Sequence, residues 1–358
     1  MPISSALGSS ALLPAGLGFR NKLINGDMSI NQRSSGVITG SGTRQWPVDQ
    51  WAVWNGTGTV TFQQSSIAPA GFSKSLLATV SSTGSYGVGG YTQIQHKVEG
   101  NNCRDLNFGT TNAKTLIFSF WCKASVTGTY CVAFHNSAFD LSYVATFAVS
   151  STDWEYKVIQ IPGCTTGTWL TNNGIGLEFS FNLGLGTTDD TTTPNTWISG
   201  NKGSIASSVD FAANSGATFY LTGVQLEANY QSTPFEQRNY GIELSLCQRY
   251  YYRYANPSGN GGAIGYIAGF SSTRSFGTIH IPVEMRGTIT ITPSGCQVDT
   301  LGLSNAGNVT AVALYPTVGN APYTTTLFID CVTTGTVAGT LYFFRVPAGA
   351  SLQFSAEL

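Results

Sequence analysis

The stretch Gly223–Tyr254, GVQLEANYQSTPFEQRNYGIELSLCQRYYYRY, changes its period twice, and the changes mark a junction between two modules. Leading into it, Tyr220, Thr222, Val224 and Leu226 alternate with Leu221, Gly223 and Gln225, which predicts a strand. Around YGIELSLCQRYY the spacing becomes four, with Ile242, Leu246 and Tyr250 in register, which predicts a short helix. Asn239 is placed to cap it, Glu243 sits in its first turns and Arg249 near its end, each where the helix dipole favours it. The tyrosines that follow predict a strand with Tyr250, Tyr252 and Tyr254 on one face and Tyr251 with Arg253 on the other.

Upstream, from Leu23 to about Gln231, short alternating runs are separated by Gly, Ser, Thr and Asn clusters. Leu116, Phe118, Phe120 and Cys122 share one face of a strand, and Trp154, Tyr156 and Val158 alternate with Glu155, Lys157 and Ile159. Such runs predict an antiparallel sandwich. Downstream, from Ile279 to Ile291, the odd positions are almost all apolar, and a break is expected near Arg286–Gly287 because the run is long for one strand. Strands at Thr340–Val346 and Ser351–Ser355 complete a smaller sandwich. The expected organisation is an arm over residues 1–22, a sandwich domain over 23–232 and a second β module over 233–358. The fold class is all-β with one short helix.

Composition agrees with that class. Charged residues are 10% of the chain against roughly 25% in an ordinary soluble domain, and glycine is abundant with 42 residues. Net charge is −1 and no Lys/Arg run exists to follow a phosphate backbone, so nucleic acid is not an expected partner. Low charge favours assembly. The seven cysteines lack CxxC or His spacing, so buried free thiols are expected rather than zinc or a disulfide framework. No apolar run is long enough to span a bilayer, and Ala11–Leu17 has no basic segment before it, so neither membrane insertion nor a secretory signal is expected. The arm is read as a docking element for another protein; the competing reading has it pack on its own domain.

No catalytic motif is present. His96, His135 and His280 stand outside any nucleophile, metal or phosphate-binding pattern, and we expect no enzyme. Asp189 and Asp190 lie in the polar loop Gly184–Ser208, expected to be solvated and to lack an apolar wall. With Trp197 in the same loop they are the candidates for glycan contact, against the alternative that Trp197 is buried like most tryptophans. Trp46, Trp51, Trp54, Tyr86, Tyr91 and Trp169 are the remaining aromatics that a sugar ring could stack on, with Trp51 read as core. Tyr251, Arg253 and His280 are the candidates for a subunit interface, where Tyr and Arg are enriched.

Four pieces carry a family resemblance: the junction Gly223–Tyr254 quoted above, FRNKLINGDMSINQR at Phe19–Arg33, PVDQWAVW at Pro47–Trp54 and IPVEMRGTITITPS at Ile281–Ser294. Together they resemble virion structural proteins of tailed bacteriophages, with a domain similar to jelly-roll carbohydrate-binding modules. Gln50 stands where the related DRW-like motif has arginine. The resemblance implies a tail-fibre or adsorption component, with a capsid decoration or head-fibre protein as the alternative. It implies a homotrimer, docking to other virion proteins through residues 1–22, a host-surface glycan as ligand, and assembly into a virion in the host cytoplasm. It also implies a structural calcium between first and last strands, for which Asn25, Asp27 and Glu227 occupy comparable places. No other cofactor is expected. The competing reading makes Asn25-Gly26-Asp27 a turn held by side-chain hydrogen bonds.

Overall fold

The computed structural model describes residues 19–33, 36–255, 262–301, 305–314 and 325–358. Most of the expected N-terminal arm, residues 1–18, lies outside them. The first module is a two-sheet antiparallel sandwich. One sheet has the order β1 (Ile38–Thr39), β4 (Thr59–Ser65), β5 (Ser75–Ser82), β13 (Thr218–Glu227), β7 (Leu116–Ala124), β10 (Glu155–Ile161). The other runs β12 (Trp197–Ser199), β9 (Leu141–Val149), β8 (Gly128–His135), β11 (Ile175–Leu185), β6 (Tyr91–Glu99), β3 (Trp51–Asn55), β2 (Gln45–Val48).

The inner faces supply an aromatic core. Leu116, Phe118, Phe120 and Cys122 of β7 are fully buried, as their alternation predicts. Phe118 meets Phe179 edge to face at 4.9 Å between ring centres, and Phe120 meets Phe181 at 4.8 Å. Each such ring contributes about 1.5–3 kcal/mol by leaving water. Trp51 is fully buried, and its indole N–H donates to the Asn25 carbonyl at 2.9 Å. On β10 the alternation turns Tyr156 and Val158 to the outside.

β13 departs from the simple alternation. Phe219 and Leu221 face the core first, then Val224 and Leu226, because the register against β7 shifts between Thr222 and Gln225. Gly223 sits at that bulge with φ 61°, a left-handed conformation glycine adopts without steric cost. The first segment and the last strand are neighbours: Lys22 N donates to Leu226 O at 2.8 Å and Val224 N to Gly26 O at 2.9 Å. A Cβ on Gly26 would stand 2.2 Å from the Val224 carbonyl oxygen, so that approach requires glycine.

The helix α1 spans Tyr240–Gln248, and the Asn239 side chain accepts from Gly241 N at 2.9 Å. Its buried face is Glu243, Cys247 and the following Tyr250, whereas Ile242 is exposed. The expected Ile242–Leu246–Tyr250 stripe is thus rotated. Glu243 turns inward because it receives the Asn25 N–H and, at 3.2 Å, the Arg238 guanidinium.

The second module differs from a plain sandwich. β15 (Ala263–Ser271), β16 (Arg274–His280), β20 (Thr326–Thr333), β19 (Asn305–Leu314), β18 (Gln297–Asp299) and β21 (Leu341–Arg345) close into a barrel. Beside it lies a three-stranded sheet, β14 (Tyr251–Ala255), β22 (Ser351–Ser355), β17 (Thr290–Ser294). The Ile279–Ile291 run breaks just after His280, earlier than expected; Ile279, Ile281 and Met285 are buried. Arg286 is drawn out of strand geometry to donate to the Ala356 carbonyl at 2.9 Å, the Glu357 carbonyl at 2.8 Å and the Asn173 carbonyl.

The modules are docked through polar contacts around a small apolar cluster of Ile24, Ile30, Cys247 and Tyr250. Tyr251 lies inside this junction. It is 3% exposed, and the Arg33 guanidinium stands 3.6 Å from its ring centre. The face assigned to a subunit interface is therefore spent within the chain, since Arg253 also donates to the Arg33 carbonyl at 3.2 Å. His280 is exposed on the barrel, its Nδ1 2.9 Å from Thr326 Oγ1. All seven cysteines are buried and free. No helix among the described residues is long and apolar enough to cross a membrane.

Candidate functional site

The outer face of the seven-stranded sheet carries polar side chains at alternate positions: Gln93, Gln95 and Lys97 on β6, Glu178, Ser180 and Asn182 on β11, and His135 on β8. Alternation that would ordinarily face water is here largely buried, because the segment after β11 folds back over the sheet. Its Ile205 packs on a cluster of Cys131, Ala133 and Val144. A cleft of about 280 Å³ remains open beside it. Its lining includes Arg44, Trp54, Tyr91, Phe139, Glu178 and Asp189.

A chain of hydrogen bonds fixes the floor. Arg44 Nε donates to Gln95 Oε1 at 2.7 Å, Gln95 Nε2 to Gln93 Oε1 at 2.9 Å, and Gln93 Nε2 to Asn182 Oδ1 at 2.9 Å. Asn182 Nδ2 ends the chain on the Gly203 carbonyl at 2.6 Å. Each amide can point only one way, so the floor is set before any ligand arrives.

Glu178 stands apart from this chain. It is 1% exposed, and its Oε2, sealed from water, receives no hydrogen bond from any described residue. Arg44 Nη2 lies 3.7 Å from Oε1 and Lys97 Nζ 4.0 Å from Oε2, ion-pair distances too long for hydrogen bonds. Burial pushes its carboxyl above the usual range, against the pull of Lys97 and Arg44. A buried acceptor without a donor is an unusual feature of a folded protein.

Aromatic walls flank the floor. Trp54 and Tyr91 lie 4.2 Å apart, with the Arg44 guanidinium 5.0 Å over the Trp54 ring. Phe139 lines the cleft with φ 54°, a strained conformation for a bulky side chain, and strain of this kind concentrates at working sites. His135 is held neutral by burial, its pKa pushed down to about 4, and Nε2 donates to the Lys202 carbonyl at 3.0 Å.

Of the residues singled out from sequence, Asp189 reaches this cleft and Trp197 does not. Burial raises the Asp189 and Asp190 carboxyls, with Lys202 opposing, so these two are half-buried, while much of the loop around them is exposed as expected. Asp190 forms a bridge with Ser204 at the folded-back segment. Trp197 is packed against Tyr143 and Trp169, each 5.4 Å away, and its N–H donates to the Pro162 carbonyl at 2.7 Å. It is a packing residue of the sheet edge, because that hydrogen bond and those rings hold it against the core.

The three residues considered for calcium are each committed elsewhere. Asn25 donates to Ile30 O and Asp49 O at 2.8 Å, and its Oδ1 accepts from Ile30 N at 2.9 Å. Asp27 Oδ1 accepts from the Ser29 hydroxyl at 2.9 Å. Glu227 accepts from Thr233 N at 2.9 Å and the Thr233 hydroxyl at 2.8 Å. These contacts make the turn of the competing reading. Among the described residues no three His, Cys, Asp or Glu side chains cluster in a way that could hold a metal ion.

Arg44, Phe139 and Glu178 were not selected from sequence as site residues, and Trp54 and Tyr91 were two aromatics among many. The available signal was the alternation of amide and carboxylate residues on β6 and β11. It reads as a solvated face until the segment that covers it is placed.

No family model and no characterised protein matches the sequence. Among solved structures, the enzymatically active domain of tailspike protein 4 of bacteriophage CBA120 is similar at 12% identity and a TM-score of 0.32. The match covers 56% of this chain but 22% of that one. A family 4 carbohydrate-binding module is similar at 14% identity and TM-score 0.29, over 57% of this chain and 98% of its own. The family 11 module of a cellulosomal cellulase of Clostridium thermocellum gives 14% identity and TM-score 0.28, over 56% and 99%. At these identities and TM-scores, none of the likenesses passes an activity to this chain.

Proposed function

We propose that this chain is a non-enzymatic structural protein of a tailed-phage virion, a tail-fibre or adsorption component that holds a host-surface glycan in the cleft of its first module. The observation that carries the glycan reading is Glu178, a buried carboxylate without a donor on the floor of a cleft walled by Trp54, Tyr91 and Phe139. Sugars bring hydroxyl donors for such an acceptor and C–H faces for such rings. The virion reading rests on the sequence resemblance at Phe19–Arg33, Pro47–Trp54 and Ile281–Ser294. Glu178 and Asp189 are the carboxylates that a glycan-cleaving reaction would need, and both lie on the cleft. With Arg44 and Lys97 at ion-pair distance from Glu178 and no catalytic motif in the sequence, we assign both to binding.

Immunogold electron microscopy of intact virions, with antibody raised against residues 23–358, tests the location. Label at the tail tip or fibres is expected. Label over the head would replace adsorption with the capsid decoration or head-fibre role.

A further inference from the structure

The second module reaches the edge of the cleft. Glu357 and Leu358 lie against Arg44, Trp46, Gln50, Ala52, Gln95 and Lys97, leaving a gap of only about 10 Å³. This segment is clamped from both modules. Arg286 donates to the Ala356 and Glu357 carbonyls, Arg33 pairs with Glu357, and Ala356 N donates to Tyr250 O at 2.8 Å. The segment meets the cleft-lining Arg44 and Gln95, and beside them Lys97, whose Nζ donates to the Leu358 main-chain oxygen at 2.6 Å.

Lys97 therefore stands between two acceptors. Its short bond goes to the second module, while Glu178 Oε2 in the first lies 4.0 Å away. Lys97 is largely withdrawn from water, so its ammonium needs an acceptor within reach. Were Leu358 removed, the nearest carboxylate is Glu178, and a shift of about 1 Å would bring Nζ into hydrogen-bond range. The bond so formed would satisfy Glu178 from within the protein.

Resting on the glycan reading above, we propose that the segment Ala356–Leu358 holds the Lys97 ammonium off Glu178 Oε2 and thereby leaves the carboxylate without an internal donor, its Oε1 edge toward Arg44 open to a sugar hydroxyl. The sugar site is then complete only with the modules docked, and Lys97 is a positioning residue rather than a ligand contact. The charged groups facing Glu178 are Arg44 and Lys97, and the cleft lining also includes His135, held neutral, and Asp189.

The test reads Glu178 without needing a ligand. The full chain, a variant lacking Glu357–Leu358, and that variant with Lys97→Met are labelled with 13C at glutamate carboxyls, and Glu178 is assigned by its loss in Glu178→Gln. In the full chain the Glu178 carboxyl is expected to titrate above the usual glutamate range. Deletion is expected to lower its midpoint by about one pH unit, a tenfold change in proton affinity, and Lys97→Met is expected to bring it back up. An unchanged midpoint in a folded deletion variant, or no recovery with Lys97→Met, would overturn the proposal. Should the deletion variant fail to fold, Arg286→Ala in the full chain releases the same segment and must shift Glu178 in the same direction; no shift there counts against the proposal equally. Because the readout is ligand-free, a correct titration together with no sugar binding would overturn the glycan reading alone.

Discussion

The Tyr250 hydroxyl donates to Glu99 Oε2 at 2.8 Å, joining the end of the helix to the end of β6 across the boundary between modules. Arg249 adds two bonds to the same carboxylate, at 3.1 Å and 2.9 Å, and Asn101 a third at 2.6 Å. Burial pushes the Glu99 carboxyl up, but these donors outweigh it and hold the group below its usual range. Tyr250→Phe removes one donor from a buried ionised acceptor and is expected to cost about 2 kcal/mol. Because the folded-state pKa is depressed, this contribution is present above the unfolded value near 4.5 and is lost as pH falls through the folded one. Denaturant unfolding of Tyr250→Phe at pH 7 and pH 3 checks both statements: the difference from wild type should shrink at pH 3.

His96 lies between Trp51 and Phe179, stacked on the latter at 5.7 Å, and donates through Nε2 to the Ile24 carbonyl at 3.1 Å. Its Nδ1 makes no hydrogen bond, and the cost of burying a charge outweighs the Ile24 and Lys97 backbone groups that would favour a second proton. Burial accordingly pushes its pKa down from 6.5 to about 4. Between those values the unfolded chain binds the proton and the folded one does not, so stability is lost as pH falls from 6.5 toward 4, by about 3 kcal/mol in all. His96→Gln keeps a donor for Ile24 and is expected to flatten this part of the stability–pH curve. A slope equal to wild type would contradict the assignment.

Calcium is expected to leave the protein unmoved. With the Asn25, Asp27 and Glu227 side chains already bonded, neither millimolar calcium nor a chelator should change the melting temperature, read by calorimetry. Asn25→Ala, by contrast, removes three buried hydrogen bonds from a residue at φ 58° and is expected to cost about 3 kcal/mol.

Self-association is expected to run through the barrel rather than the tyrosine strand. Tyr266 and Phe270 on β15 and Leu341 on the adjacent β21 are all about half exposed on its outer surface, where apolar patches mark contact sites. Light scattering should give three times the chain mass for the wild type. Tyr266→Ser with Phe270→Ser should give the monomer, and an unchanged mass would place the contact elsewhere.

Much of the fold was legible because one-sided burial writes itself into alternation. Phe118 and Phe120 announce their strand, and the change of spacing after Asn239 announces the helix. What escaped was set by contacts distant in sequence. Tyr251 looks like an interface residue until Arg33, far upstream, covers it. The bulge at Gly223 inverts the face of β13 without altering the apparent period of its neighbours. The second module closes into a barrel through the pairing of β18 with β21, which local patterns do not encode. The cleft was hidden for the same reason, since Gln95 and Glu178 sit on a face that is closed in by groups distant in sequence, Arg44, the segment with Asn201 and Gly203 and, beside Gln95, Glu357 and Leu358.

The central claim is that the cleft holds sugar through its aromatic walls and Glu178. Its most direct test is affinity electrophoresis of the full chain through gels containing glucan, galactan, mannan, xylan or host envelope polysaccharide, beside Trp54→Ala, Phe139→Ala, Glu178→Ala and Trp197→Ala. We predict retardation of wild type by at least one polymer and at least tenfold weaker binding for the first three variants, each still folded. Trp197→Ala should keep binding while losing about 3 kcal/mol of stability. No retardation by any polymer, or loss of binding confined to Trp197→Ala, would contradict the account.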